Sequence, residues 1–120
     1  MLLRDHLYGR VVAAAPSYLL LEVLNALRKY IVRGVIGGSD ARKACRLLVE
    51  AEVELHSIDA GLAGEALDYS LARGVTVYDA YYIVLARRLG AVFYTADEKL
   101  LERLKSVEPR VRHVAEYKRH

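Results

Sequence analysis

Short apolar runs alternate with longer segments of helical periodicity along this chain of 120 residues. Apolar runs of this kind predict strands, and glycines and N-capping residues mark the ends and starts of the helices between them. The predicted strands are 11–15, 53–58, 91–94 and 111–114, and the predicted helices are 17–33, 39–49, 60–73, 76–90 and 97–105. This alternation predicts an α/β fold, a three-layer α/β/α sandwich with a mostly parallel sheet.

Two acids lie at predicted helix starts. Thr76 is placed to cap one helix with Asp79 in its first turn, and Thr95 with Glu98 resembles a capping box that puts Asp97 in the first turn of the next. Helix capping is therefore one interpretation of both aspartates. The other is functional, because side chains that follow the carboxyl ends of parallel strands line the ligand crevice of such sheets.

Glu22 has a different setting, inside a helix that is apolar on nearly every side and that Ser17 is predicted to cap. Glu22, Asn25 and Lys29 follow each other at i, i+3 and i+7, which places them on one narrow polar stripe. A solvated stripe is one interpretation. The other is a carboxylate with a partner, since a charge amid apolar surface costs free energy unless it is paired.

Glu22, Asp79 and Asp97 together indicate more than any one of them. Three carboxylates at the edge of one sheet would repel each other and raise their own pKa values. A divalent cation removes that penalty, and oxygen-only ligands suit Mg²⁺ or Mn²⁺ rather than zinc. Metals held in this way are suited to the hydrolysis of phosphodiesters.

The composition of the chain excludes several kinds of site and of location. Cys45 is the only cysteine, which excludes an internal disulfide and a cysteine zinc site, and the net charge of +3 is too small to indicate a partner. No apolar run is long enough for a membrane span and no signal peptide is evident, so we expect a cytoplasmic protein. The scarcity of Asn, Gln, Cys and Met favours a thermophilic source. The histidines have no metal-ligand spacing; they are His6, His56, His113 and His120.

The segments around the acids resemble a known family. Pro16-Ser17 followed by Glu22 and Asn25, the run 77–86 around Asp79, and the run 89–100 ending in Thr95-Ala96-Asp97 are similar to PIN domains, specifically the VapC-type toxins of prokaryotic toxin–antitoxin pairs. The resemblance extends from about Val11 to Val114.

The resemblance implies a small α/β fold with a central parallel sheet and a Mg²⁺- or Mn²⁺-dependent endoribonuclease site of four acids. It also implies RNA as substrate, a homodimer, and a cognate antitoxin protein as inhibitor. By motif, Glu22, Asp79 and Asp97 correspond to the second, third and fourth acids and so to metal ligands. Thr95 corresponds to the hydroxyl that orients the site, and Asn25 is a supporting neighbour of Glu22.

One feature departs from the family. The family begins with a central strand ending in Asp-Thr or Asp-Ser, whereas residues 1–9 resemble the helix before the second family strand and Asp5 does not match the first acid. We therefore expect one PIN-like domain over 1–120, N-terminally truncated relative to the family, with a basic tail at 115–120. The strands near Ala13 and Phe93 are then expected to pair directly, or a second copy of the chain fills the gap. A true start codon upstream is the other explanation.

Two functions follow from these expectations. The first is an active endoribonuclease, and the second is a catalytically impaired PIN-like module that acts through dimerisation or antitoxin binding. An unrelated α/β binding domain with well-capped helices is a third possibility. Tyr81 and Tyr82 are expected to pack in the core or at a dimer interface. Candidate contacts to the RNA backbone, each with surface solvation as its alternative, are Arg28, Arg33, Arg87 and Arg88.

Overall fold

The structure, a computed structural model, describes residues 13–117, which divide into two compact units, 13–56 and 57–117. Residues 1–12, including Asp5 and the start of the first predicted strand, and residues 118–120 of the predicted tail lie outside the described part. Each unit contains its own pair of parallel strands. Among the described residues, no helix has the length and apolar character needed to span a membrane.

The unit 13–56 consists of two strands joined by two helices: β1 (Ala14–Pro16), α1 (Leu19–Val32), α2 (Gly38–Glu50) and β2 (Glu54–His56). β1 pairs in parallel with β2 so that Ala15 lies opposite Leu55. The buried side chains of the unit 13–56 are few and small; they are Ala15, Pro16, Ala41 and Ala51.

The unit 57–117 consists of α3 (Ala60–Arg73), α4 (Val77–Leu89), β3 (Phe93–Thr95), α5 (Glu98–Leu104), β4 (Val111–His113) and a 3₁₀ turn (Val114–Glu116). β3 and β4 pair in parallel, with Tyr94 opposite Arg112, and α5 forms the crossover between them. The core lies between α3, α4 and α5; its larger members are Leu62, Tyr69, Tyr81, Ile83, Leu85, Leu100 and Leu104.

Aromatic and charged side chains tie the elements of this second unit together. The Tyr81 hydroxyl accepts a hydrogen bond from the backbone N–H of Asp59 at 3.0 Å, and the Tyr82 ring stacks on Phe93 at a centroid distance of 5.1 Å. Tyr81 therefore packs in the core, as predicted, and Tyr82 packs within the same unit. Glu108 is the buried charged residue of this unit.

Glu108 is the centre of a three-residue cluster. Its Oε1 accepts hydrogen bonds from the Tyr69 hydroxyl at 3.1 Å and from Arg87 Nη2 at 2.6 Å. The Arg87 guanidinium also lies over the Tyr69 ring, 5.0 Å from its centroid. The cluster joins α3, α4 and the segment after α5, because each element contributes one partner. A buried carboxylate needs such partners to offset its loss of water.

The predicted α/β class with parallel strands is confirmed, and the helix bounds of α3 match the prediction. In the described part of the chain β1 pairs with β2 and β3 with β4, each within its own unit. The direct pairing of the strands near Ala13 and Phe93, which lie in different units, stays a prediction. Pairing with a second copy stays a prediction, as does the single domain over 1–120.

The predicted Ser17 cap is also wrong. Tyr18 occupies the N-cap position of α1 and makes no capping bond with its side chain. The backbone N–H of Ser17 instead donates to the carbonyl of His56 at 2.8 Å. Ser17 thus extends the pairing of β1 with β2, which moves the helix start beyond the reach of its hydroxyl.

Candidate active site

The start of α4 follows the predicted capping pattern. Thr76 is the N-cap, and its Oγ1 accepts a hydrogen bond from the backbone N–H of Asp79 at 3.2 Å. Asp79 is half-buried in the first turn of the helix. Just before it, Gly74 ends α3 in the left-handed conformation with φ +68°, so the chain turns sharply between the two helices. The backbone of Asp79 is therefore placed close to the end of α3.

The N-cap of α5 lies two residues later than the predicted cap Thr95. Asp97 is itself the N-cap rather than a first-turn residue, and its Oδ1 accepts from the backbone N–H of Leu100 at 3.1 Å. Thr95, the last residue of β3, accepts from the backbone N–H of Asp97 at 3.1 Å through Oγ1. Thr95 is thus tied to the backbone segment that carries Asp97, and its role in orienting a metal site stays a prediction.

The two aspartates meet in one small cleft of about 160 Å³, which we call the Asp79–Asp97 cleft. They come from different helices, 18 residues apart in the sequence, and share the cleft because α4 and α5 begin next to each other. The cleft is lined by Gly74, Val75, Thr76, Asp79, Asp97, Lys99, Leu100 and Arg103. Its walls thus carry two carboxylates and two basic groups.

Lys99 and Arg103 are site residues that the sequence reading missed. They lie four residues apart on α5, on the same face, while Leu100 and Leu104 of the same helix are buried. The sequence signal that could have indicated them is their position two and six residues after Asp97.

Glu22 and Asn25 lie together in the unit 13–56, on the exposed face of α1. They line a groove of about 320 Å³ with the basic residues Lys29 and Arg33. The predicted polar stripe is therefore present, and it extends one turn further to Arg33. The assignment of Glu22 as a third metal ligand stays a prediction.

Two of the arginines suggested for RNA make contacts within the protein. Arg87 is paired with buried Glu108 at 2.6 Å, and Arg88 Nη1 lies 3.6 Å from Asp59 Oδ2. An arginine engaged in this way would have to give up a protein partner to bind a phosphate. Arg87 in particular is part of the core cluster around Glu108.

The carboxylates of the cleft fit a divalent metal of the Mg²⁺ type. Mg²⁺ keeps several waters and is often held by one or two carboxylates together with substrate phosphates, and hard oxygen donors suit Mg²⁺ and Mn²⁺. Asp79 and Asp97 supply such a pair. Within residues 13–117, no group of three or more His, Cys, Asp or Glu side chains is arranged to hold a metal ion. The cleft therefore holds two of the three acids predicted as metal ligands, and their binding of a metal stays a prediction.

Comparison with known proteins gives two matches. The model of the PIN domain family matches residues 4–106 of the chain. Ribonuclease VapC3 from Pyrobaculum aerophilum is 36% identical over 84 residues, which cover 68% of this chain and 63% of that relative. The region that the family model matches includes Asp79 and Asp97. The chain thus spans less than two thirds of the relative's length.

Proposed function

Since this chain belongs to the PIN domain family, we propose that it is a VapC-type endoribonuclease that hydrolyses RNA phosphodiesters with Mg²⁺ or Mn²⁺. The observation that carries the proposal is the shared cleft of Asp79 and Asp97, two acids that the fold brings together from separate helices. The similarity to Ribonuclease VapC3 supports RNA as the substrate. A cytoplasmic location is part of the same proposal.

Each site residue has a distinct role in this proposal. Asp79 and Asp97 would hold the metal, with Glu22 as a further ligand and Asn25 as its supporting neighbour. Thr95 acts as a positioning residue, because its hydroxyl accepts from the backbone N–H of Asp97. When bound, a divalent metal neutralises charge on the scissile phosphate and lowers the pKa of a water for attack.

Helix capping by Asp97 is compatible with metal binding. The cap bond to Leu100 uses Oδ1, one of the two carboxylate oxygens, and a carboxylate offers about four lone-pair sites. The cap also fixes the rotamer of the side chain, which reduces the entropy lost on binding a metal. Asp97 can therefore cap the helix and bind a metal at the same time.

RNA cleavage tests the proposal directly. We expect the purified chain to cleave single-stranded RNA with Mn²⁺, to stop in EDTA and to recover when Mn²⁺ is restored. Asp79→Asn keeps the size of the side chain and leaves the Thr76 cap bond intact, because that bond uses the backbone N–H. Loss of a ligating carboxylate should reduce cleavage by at least about 100-fold. Cleavage that is indifferent to EDTA and to this substitution would refute metal-dependent hydrolysis here.

A second candidate function is a catalytically impaired module that acts by dimerising or by binding an antitoxin. The exposed apolar side chains of α1 favour it, since such surface is commonly covered by a partner. They are Leu21, Leu24, Ile31 and Val32. Cleavage assays and light scattering on this chain and on a form extended upstream separate the two candidates. Cleavage by the extended form alone would mean that this chain is a truncated enzyme, whereas a dimer without cleavage by either form would support the impaired module.

A further inference from the structure

We propose that Arg103 binds a backbone phosphate of the RNA beside Asp79 and Asp97, and that Gly74 makes room for its guanidinium. The inference rests on the proposed function and names the group that receives the substrate's negative charge. Arg103 is then a substrate-binding residue and Gly74 a positioning residue. The sequence pattern had indicated neither residue as part of the site.

The Arg103 guanidinium lies where a side chain at position 74 would be. A Cβ atom built on Gly74 would lie 2.7 Å from Arg103 Nη1 and 3.8 Å from Arg103 Cζ. The guanidinium therefore occupies the space into which any side chain at this position would project. Both residues line the Asp79–Asp97 cleft, so the glycine keeps the charged end of Arg103 at the cleft.

Gly90 shows that this close contact is not a general feature of the helix ends. Gly90 ends α4 as Gly74 ends α3, and it has nearly the same backbone conformation, φ +64° against φ +68°. Apart from its chain neighbours, no described atom lies within 4 Å of a Cβ built on Gly90. Both positions need glycine for a left-handed φ. Only at Gly74 would a side chain also meet an arginine guanidinium, which would then have to shift.

The charge of the cleft explains why a basic group is needed there. Two carboxylates in a small cleft repel an approaching phosphodiester, which carries one negative charge per nucleotide. A guanidinium offsets that repulsion and can donate two parallel hydrogen bonds to phosphate oxygens. Lys99, one turn earlier on α5, lines the same cleft and adds a second positive charge. Both basic residues are exposed, so an RNA strand can reach them.

RNA binding measured over a series of KCl concentrations tests the phosphate contact. Fluorescence anisotropy of a labelled single-stranded RNA oligonucleotide in EDTA reports binding without cleavage. Arg103→Gln should weaken binding about tenfold at low salt. It should also reduce the slope of log K against log [KCl] by about 0.7, the value for one phosphate contact on a single strand. Arg46→Gln, an exposed arginine of α2, serves as the charge-matched control and should leave the slope unchanged.

The glycine pair tests how Arg103 is positioned. Gly74→Ala and Gly90→Ala place the same residue in the same strained conformation, and we expect similar decreases in Tm. Only Gly74→Ala displaces the Arg103 guanidinium, so only this variant should show the weaker binding and the smaller salt slope of Arg103→Gln. The double variant Gly74→Ala/Arg103→Gln should bind like Arg103→Gln alone, because the two changes remove one contact.

The outcomes separate this inference from the proposed function. An unchanged salt slope in Arg103→Gln, or equal RNA binding by Gly74→Ala and Gly90→Ala, overturns the inference even if the wild-type chain cleaves RNA. Conversely, a slope reduced in both Arg103→Gln and Gly74→Ala supports the inference even if the chain cleaves nothing. A wild-type chain that binds no RNA overturns both.

Discussion

The helices α1 and α4 are both dominated by apolar residues, yet they differ completely in burial. Six of the thirteen residues of α4 are buried, whereas none of the fourteen residues of α1, all of them described, is buried. α4 packs along α3 and contributes half of the buried apolar residues described in the unit 57–117. Apolar composition therefore predicts a helix that needs a neighbour, but it does not say whether the same chain provides that neighbour.

The contrast separates two kinds of apolar residue in one molecule. Residues 57–117 build a core from α3, α4 and α5, and that core positions the Asp79–Asp97 cleft. Residues 13–56 keep large apolar side chains such as Val32 and Val49 at the surface. Under the second candidate function, a second copy or an antitoxin would cover this surface. Stability and partner binding should then respond to different substitutions.

The largest expected effect comes from a matched pair of leucines. Leu104 of α5 is 1% exposed and Leu47 of α2 is 66% exposed. Leu104→Ala should lower the free energy of unfolding by about 2–5 kcal/mol, because it leaves a cavity in the core. Leu47→Ala should change it by less than about 0.5 kcal/mol. Urea denaturation of both variants measures the difference, and comparable losses would show that the two units do not differ as described.

The second effect concerns the cluster around Glu108. Tyr69→Phe removes a hydrogen bond to a charged partner and should destabilise the fold by roughly 1.5 kcal/mol at neutral pH. Burial first, and then the hydrogen bond to Glu108, raise the pKa of Tyr69 from its ordinary value of 10.0 to about 12. The folded protein thus retains a proton that the unfolded chain loses above pH 10. The Tyr69 contribution to stability should be complete below pH 10 and disappear as the pH rises towards 12.

Denaturation curves of wild type and Tyr69→Phe at several pH values measure this contribution. The difference in unfolding free energy between them should narrow across the interval from pH 10 to 12. A constant difference across that interval would mean that the Tyr69 proton is held no more tightly in the folded state.

The smallest effect compares two helix starts. Thr76→Ala removes the side-chain cap of α4 and should cost about 1 kcal/mol. Ser17→Ala should cost no more than a few tenths of that, because α1 has no side-chain cap and Ser17 contributes its backbone N–H. The same denaturation assay compares them. A larger loss for Ser17→Ala would indicate a capping role that the structure does not assign to it.

Features encoded in a few neighbouring residues were predictable from the sequence. Asp59, Gly74, Thr76 and Gly90 bound α3 and α4, because capping side chains and left-handed glycines act within one turn. Ser17 shows the limit of such reasoning. A serine hydroxyl is a good helix cap in principle. Here the backbone N–H of Ser17 donates to the carbonyl of His56 in the strand pairing, and the helix starts later.

The residues of the candidate site were predictable in part for the same reason. Asp79, Asp97 and Thr95 were evident from their places at helix starts and a strand end, and the structure brings the two aspartates into one cleft. Lys99 and Arg103 were not evident from the sequence. They line the cleft because α5 packs beside Gly74, and Gly74 and Arg103 are about 30 residues apart in the sequence. Strand pairing was likewise a tertiary choice that no local pattern determined.

Binding of Mn²⁺ to wild type and to Asp97→Asn tests the central claim most directly. Asparagine caps a helix as well as aspartate does but lacks the charge that holds a divalent cation. The two proteins should therefore have the same Tm in EDTA, while Mn²⁺ should raise the Tm of wild type and bind it in isothermal titration, with neither effect in Asp97→Asn. Equal Mn²⁺ binding by both proteins would contradict a metal site in the Asp79–Asp97 cleft and leave Asp97 as a helix cap alone.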